Sequence, residues 1–308
     1  YVQHCKSLAQ MRGLTIGSSY GEAFLVFPWD GSPQNFFEVR PLISIVVRTD
    51  DNQILSNALV SLVGQEYDQI EVVVVWFGNK EPIVSAFEML DIQVIVGKPS
   101  RGYNLNLGIE KARGEYIAFL DQDDIVYPEH FALLLSEMQG HSDVDVAYSY
   151  CRIVSCHRNG AMVEVNSEIE IMDRVIEPGR LMVGNIIPFN ALLFRAQTFR
   201  TMTFNENLEA YEDWNFLSQL AIAGYRFSQV EEVTCEYRLY SDEGKKVTSL
   251  SEVHQKKGYI GWDNKVYEGI AKQLRGTHLK SLATVVTQLE TNEHILKNRL
   301  IAAEQTIT

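Results

Sequence analysis

The sequence predicts an α/β protein built on a doubly wound mixed sheet, with a C-terminal helical extension. Three features carry that prediction. Short β-branched runs alternate with segments of helical period, one run empties into an aspartate-rich loop, and a heptad-like apolar seam runs through the last thirty residues. The chain has 308 residues, 46% of them hydrophobic and 22% charged, which is ample for a folded core. Acidic residues number 40 against 27 basic ones, for a net charge of −13. That balance speaks against a dedicated nucleic-acid binder, since phosphate neutralisation needs clustered Lys and Arg. It speaks equally against a polybasic membrane anchor.

Residues 1–40 are an N-terminal extension of unassigned role. They begin without Met or a signal-peptide pattern and read as part of something longer. From Pro41 the pattern sharpens. Leu42–Val47 (LISIVV) is a strand buried on both faces, closed by Arg48-Thr49-Asp50-Asp51-Asn52. Helical spacing follows over 54–64, then a second buried strand at 70–75 (IEVVVV) and a third at 92–96 (IQVIV). A short helix over 105–112 ends at Arg113-Gly114, and 115–120 (EYIAFL) is the fourth strand. In such sheets ligands bind beyond the carboxyl ends of the strands, so the loops after Val47, Val75, Val96 and Leu120 are the place to look. Beyond Pro128 the pattern predicts a helix to about Gln139, strands at 144–154 and 162–170, a strand within 184–194 (GNIIPFNALLF) and a helix over 213–224. Residues 237–249 (YRLYSDEGKKVTS) read as a polar, mobile loop.

The tail differs in kind. Leu279, Leu282, Val286, Leu289, Glu293, Leu296, Leu300 and Ala303 step by three and four, with only Glu293 breaking the apolar stripe. Two readings stand side by side: a short coiled coil, or a helix packed on a neighbour. No segment approaches the roughly 18 uninterrupted apolar residues of a membrane span. Cys5, Cys151, Cys156 and Cys235 are scattered without metal-site spacing. They read as small buried hydrophobes of a reducing compartment, with one disulfide as the alternative.

Two acidic pairs carry the chemistry. Asp121 and Asp123 stand at i and i+2 in the loop leaving a buried strand, where two carboxylates can share one hard cation such as Mg2+ or Mn2+. Taken alone, so short a motif is better explained by turn or N-cap preference. Glu212-Asp213 precedes a helical pattern, where the helix dipole favours acidic residues, so capping is the plain alternative to acid–base work.

Context shifts the weighing. LISIVVRT, ALVSLVGQEYDQIEVVVV, NLGIEKARGEYIAFLDQDD and YPEHF, in that order and spacing, resemble the nucleotide-sugar-binding half of family 2 glycosyltransferases. The resemblance covers 41–135 and implies a GT-A fold. It implies that Asp121 meets the ribose or sugar of the donor and that Asp123, with Asp121, holds Mn2+ or Mg2+ on the diphosphate. Thr49, Trp76, Arg101, Asn106 and Arg238 would complete the donor side. EDWNFLSQLAIAGYRF resembles the family's acidic segment, which makes Asp213 the catalytic base and Glu212 an orienting group. Asn185, Asn190 and Trp214 fall on the acceptor side, which spans 136–250, and 251–308 is the helical extension. YRLY with Lys245, Lys246 and Ser249 resembles the segment that closes over the diphosphate. The implied partners are a nucleoside diphosphate sugar, UDP-linked by preference, and a saccharide or glycolipid acceptor. The implied place is the cytoplasm or the inner face of a membrane, within bacterial-type polysaccharide or glycoconjugate assembly. The C-terminal helix is a candidate oligomer or partner contact.

Three positions depart from the family's pattern. Trp76-Phe77-Gly78-Asn79 stands where an Asp-Asp-Gly-Ser run is usual, Leu105 replaces the Arg of an A-R-N piece, and Tyr240 replaces a common His. These departures support a rival reading, a catalytically silent scaffold or sugar-binding module. A nucleotidyltransferase is a second rival, disfavoured because Arg48-Thr49-Asp50-Asp51-Asn52 is not a glycine-rich phosphate loop.

Overall fold

The structure is a computed structural model, and it describes residues 40–159, 162–240 and 262–307. Pro41–Thr308 form one unit. The strands are β1 (Ile43–Thr49), β2 (Ile70–Trp76), β3 (Asp91–Val96), β4 (Tyr116–Asp121), β5 (Ile125–Val126), β6 (Val146–Asn159), β7 (Met162–Met172), β8 (Leu192–Arg195) and β9 (Phe227–Tyr240). The helices are α1 (Asn52–Val63), α2 (Arg101–Lys111), α3 (His130–Gly140), α4 (Pro178–Leu181), α5 (Glu212–Ala223), α6 (Trp262–Gln273) and α7 (Gly276–Ile307).

The strands form one mixed sheet in the order β3-β2-β1-β4-β8-β6-β9-β5, with β7 hairpinned onto β6. The first four are parallel, with Ile43 opposite both Ile70 and Tyr116. β8 then runs antiparallel between β4 and β6. Every residue of β1 and β2 is buried, as two-sided β-branched runs should be. β3 corrects the expectation of a third buried strand. It is the sheet edge and is largely exposed, Val96 to 80%.

α2 starts four residues earlier than the pattern predicted, at Arg101. It lies close on the sheet because Gly108 has no side chain: a Cβ there would come within 2.3 Å of Val46 Cγ1. At its first turn a Cβ on Gly102 would meet the Asn205 carbonyl at 2.6 Å, so the 204–206 loop crosses directly over this end of the helix. The strand expected within 184–194 is confined to Leu192–Arg195, preceded by a 3-10 turn at Phe189–Ala191. Residues 237–240, expected in a loop, close the long strand β9. Lys245, Lys246 and Ser249 lie outside the described residues.

A cluster of phenylalanines ties the middle of the sheet, at β4 and β8, to α5 and the loop before it: Phe204 stacks on Phe216 at 4.3 Å, and Phe119 on Phe189 at 4.6 Å. On the C-terminal extension, Val266 and Ile270 of α6 are buried in the core. The heptad seam divides on α7. Leu282 packs on the core and the neighbouring Val285 is buried, whereas Leu279, Val286 and Leu289 are exposed. The side chains of Glu293, Leu296, Leu300 and Ala303 lie outside the described residues. Cys151, Cys156 and Cys235 are free and buried. Among the described residues no helix is long and apolar enough to cross a membrane.

Candidate active site

Two clefts open at the carboxyl ends of the parallel strands. The first, about 1020 Å³, is bounded by Arg48 at the end of β1 and Asp50 just after it, Phe77 after β2, Ser100 and Arg101 after β3, and Asp121–Asp123 where β4 ends. The second, about 650 Å³, holds Asp213, Asn185, Asn190, Asp124 and an apolar wall that includes Ile187 and Phe189. Arg101, Asp121 and Tyr237 line both, so the clefts meet at these three side chains.

At that junction sits a four-membered charge network. Arg48, at the end of β1, donates from Nε to Asp121 Oδ1 at 2.7 Å and from Nη2 to Oδ2 at 3.0 Å, a two-pronged grip. Its Nη1 reaches Glu212 Oε1. Glu212, fully buried, also accepts from Arg101 Nε through both oxygens at 2.8 Å. Burial alone would raise the Glu212 pKa, yet Arg48 and Arg101 hold it below the usual carboxylate range.

Asp213 is the opposite case. Burial and then the charge of Glu212 push it up to about 6, against smaller opposing effects of Arg101 and the Trp214 N–H. Its oxygens accept from the Trp214 amide at 2.8 Å and lie 3.4 Å from Asn185 Nδ2. Tyr211 sets this pair in place. It adopts φ 60°, a left-handed conformation rare for a residue with a side chain, while its carbonyl accepts the Asn215 N–H at 2.9 Å as α5 begins.

Asp124, beside the two predicted metal ligands, is buried and accepts the Arg238 backbone N–H at 2.9 Å. Burial, then repulsion from Asp123 and Asp121, raises its pKa well above the ordinary value. Tyr237 rises for the same reasons. The loop is thus a concentration of negative charge that favours a cation. Asp121 is gripped by Arg48 and Asp124 by a backbone amide, and Asp123 stands on the wall of the larger cleft, where a carboxylate could meet a metal. Mg2+ is commonly held by one or two carboxylates with substrate phosphates and water completing the shell, so this donor set fits. Among the described residues no three His, Cys, Asp or Glu side chains form a ready-made cage.

Several residues expected in the site have other occupations. Trp76 is buried at the end of β2, and it is the next residue, Phe77, that lines the cleft. Thr49 is buried and donates to Gln122 Oε1. Asn106 pins the 204–206 loop, donating to the Phe204 carbonyl at 3.0 Å and accepting its N–H at 2.9 Å. Asn104, one helical turn from Ser100, faces the cleft instead. Arg238 pairs with Glu236 at 2.8 Å. Trp214 is a core residue whose indole N–H donates to the Leu181 carbonyl at 2.7 Å. Arg101, Asp121, Asp123, Asp213, Asn185 and Asn190 do line the clefts.

The loops after the parallel strands, the acidic Asp121–Asp124 segment and Asp213 thus share one pair of adjoining clefts. Residues 44–196 match the family model described as Glycosyl transferase family 2. The chain is 23% identical over 242 residues to an uncharacterized glycosyltransferase of Methanocaldococcus jannaschii, covering 73% of this chain and 81% of that one. It is 27% identical over 242 residues to an uncharacterized glycosyltransferase of Rickettsia felis, covering 74% of this chain but only 38% of that longer protein. Among solved structures it resembles S. aureus TarS 1–349 in complex with UDP-GlcNAc, with TM-score 0.57 and 20% identity over 80% of this chain and 71% of that one. It also resembles the mannosyltransferase PcManGT of Pyrobaculum calidifontis in complex with GDP-Man and Mn2+, with TM-score 0.50 and 16% identity over 85% and 83%. The fold is that of the GT-A glycosyltransferases.

Proposed function

We propose that the protein transfers a sugar from a nucleoside diphosphate donor to a hydroxyl acceptor with inversion at the anomeric carbon, as a step in polysaccharide or glycoconjugate assembly. Residues 41–135 would hold the donor and 136–250 the acceptor. The observation that carries the reading is the split between two adjacent carboxylates at the junction of two clefts. Glu212 is held ionised by two arginines, and Asp213 is poised near neutrality.

In this reading the donor's diphosphate lies in the larger cleft; proteins of this fold are named in complex with UDP-GlcNAc and with GDP-Man, which supports a nucleotide-sugar donor. Phe77 offers the base a ring to stack on, in place of an acidic contact. Asp123 would hold Mn2+ or Mg2+, which when bound supplies positive charge against the departing diphosphate. Asp213 takes the proton from the attacking hydroxyl, its Oδ2 oriented by Asn185 and its Oδ1 by the Trp214 amide. Glu212 does not exchange protons. It fixes Arg101 at the meeting point of the clefts, with the guanidinium facing both substrates.

The test is calorimetric titration with UDP, GDP, dTDP and CMP, each with and without Mn2+, on the wild-type chain and Asp123→Ala. Metal-dependent binding of one nucleotide, lost in the variant, is the expected result. Absence of binding by all four overturns the proposal in favour of a silent scaffold.

A further inference from the structure

The smaller cleft carries information about its ligand that the fold does not. Its two asparagines each leave one buried oxygen without a partner among the described residues: Asn185 Oδ1 and Asn190 Oδ1. Neither orientation is arbitrary. Asn190 Nδ2 donates to the Glu236 carbonyl at 2.9 Å, and Asn185 Nδ2 faces the Asp213 carboxylate at 3.4 Å. Both of those groups accept hydrogen bonds, so each amide must turn its nitrogen that way and its oxygen the other. Asn190 is 4% exposed, and a buried acceptor left unpaired is costly unless a ligand supplies the donor.

The charges of the cleft point the same way. Asp121, Asp124 and Asp213 line it, and among the described residues Arg101 is its one cation, paired through Nε with both oxygens of the buried Glu212. The cleft is therefore rich in hydrogen-bond acceptors and poor in free positive charge. Opposite the polar groups stand Ile187 and Phe189, an apolar wall suited to the C–H face of a sugar ring.

From this we infer that the acceptor is an uncharged sugar or polyol unit that donates hydroxyls to Asn185 and Asn190 beside the one that reacts, and that phosphorylated or carboxylated units are rejected. The inference rests on the proposed transferase reading in assigning this cleft to the acceptor. It goes further in fixing the acceptor's charge and the two residues that select it. An anion here would meet acidic side chains on three sides and one guanidinium whose charge Glu212 already balances, whereas a neutral polyol can donate to both orphaned oxygens.

The experiment is saturation-transfer NMR on the full chain at pH 7.5. The probes are methyl α-glucopyranoside, methyl α-mannopyranoside and methyl N-acetyl-β-glucosaminide, against glucose 6-phosphate and methyl glucuronide. At least one neutral glycoside should bind, with both anions about tenfold weaker or more. Asn190→Leu should weaken the neutral ligand about tenfold. Asn185→Ala, at a half-buried position that tolerates truncation, serves if Asn190→Leu does not fold. Binding of either anion as tightly as the best neutral glycoside overturns the inference. So does no binding by any neutral glycoside, or unchanged affinity in the folded variants. Titration with UDP and GDP in the presence of Mn2+ separates the two claims. Glycoside binding without nucleotide binding sinks the transferase reading and leaves the cleft as a neutral-sugar site with no acceptor role, and nucleotide binding without glycoside binding sinks this inference alone.

Discussion

Replacing Arg48 by Met tests the charge network where it is most deeply buried. Arg48 is 8% exposed and makes both prongs of the grip on Asp121 and one of the contacts to Glu212, itself 0% exposed. Removing one partner of a buried ion pair typically costs about 3–5 kcal/mol, because the other charge stays out of water. Arg101 remains on Glu212, and the Asp121 side chain is 35% exposed and can rehydrate, so the expected loss is at the lower end, about 3 kcal/mol. That is a large share of the roughly 5–15 kcal/mol by which domains are stable. The sign with pH is fixed. The Glu212 pKa is lowered in the folded state from 4.5, so its contribution is complete above that value and is lost as pH falls through the lowered one. The variant's deficit, read by urea unfolding, should therefore be greatest near pH 7 and shrink below about pH 4.5. A deficit under 1 kcal/mol, or one that does not change with pH, would refute the reasoning.

Other substitutions separate the roles of neighbouring residues. The acid limb of kcat/KM should rise as Asp213 loses its proton near pH 6, and Arg101→Gln should move that limb upward, because Arg101 opposes the shift; a limb left in place counts against the assignment. Since the Asp213 pKa is raised on folding from 3.8, its ionised form costs stability above that value. Asp213→Asn should thus unfold at higher urea at pH 7.5 by about 1–2 kcal/mol, an advantage that fades toward pH 4, while transfer is lost. Trp214→Phe should lower stability by about 1 kcal/mol through the indole bond to Leu181 and leave the acceptor KM unchanged. Asn106→Ala should likewise cost about 1–2 kcal/mol with nucleotide affinity intact, because Asn106 ties down the 204–206 loop.

The architecture was legible wherever one periodicity ruled. The buried runs of β1 and β2 and the loop after β4 lie where their hydrophobic patterns placed them, and Asp121, Asp123 and Asp213 all reach a cleft. Side-chain direction was less legible. Trp76 and Phe77 are consecutive at a strand end, so they point to opposite sides and only one can line the cleft. Tyr237 and Arg238 repeat the case, because residues read as a loop proved to be the end of β9, where alternation turns Tyr237 to the clefts and Arg238 to Glu236. Asp213 and Trp214 are adjacent on a helix and diverge by about 100°. Arg48 carries a signal in the sequence: an arginine inside a run buried on both faces must find partners, and Asp121 and Glu212 are those partners. The bonding of Glu212 joins residues more than a hundred positions apart, which local patterns do not encode.

The most direct test of the central claim is the rate of sugar transfer by wild type and Asp213→Asn, measured beside calorimetric affinity for the donor nucleotide with Mn2+. A base that removes the acceptor's proton should cost about 10²–10⁴-fold in kcat when it becomes an amide, with donor affinity unchanged. A variant that binds the nucleotide equally well and still transfers at more than a tenth of the wild-type rate would contradict the account.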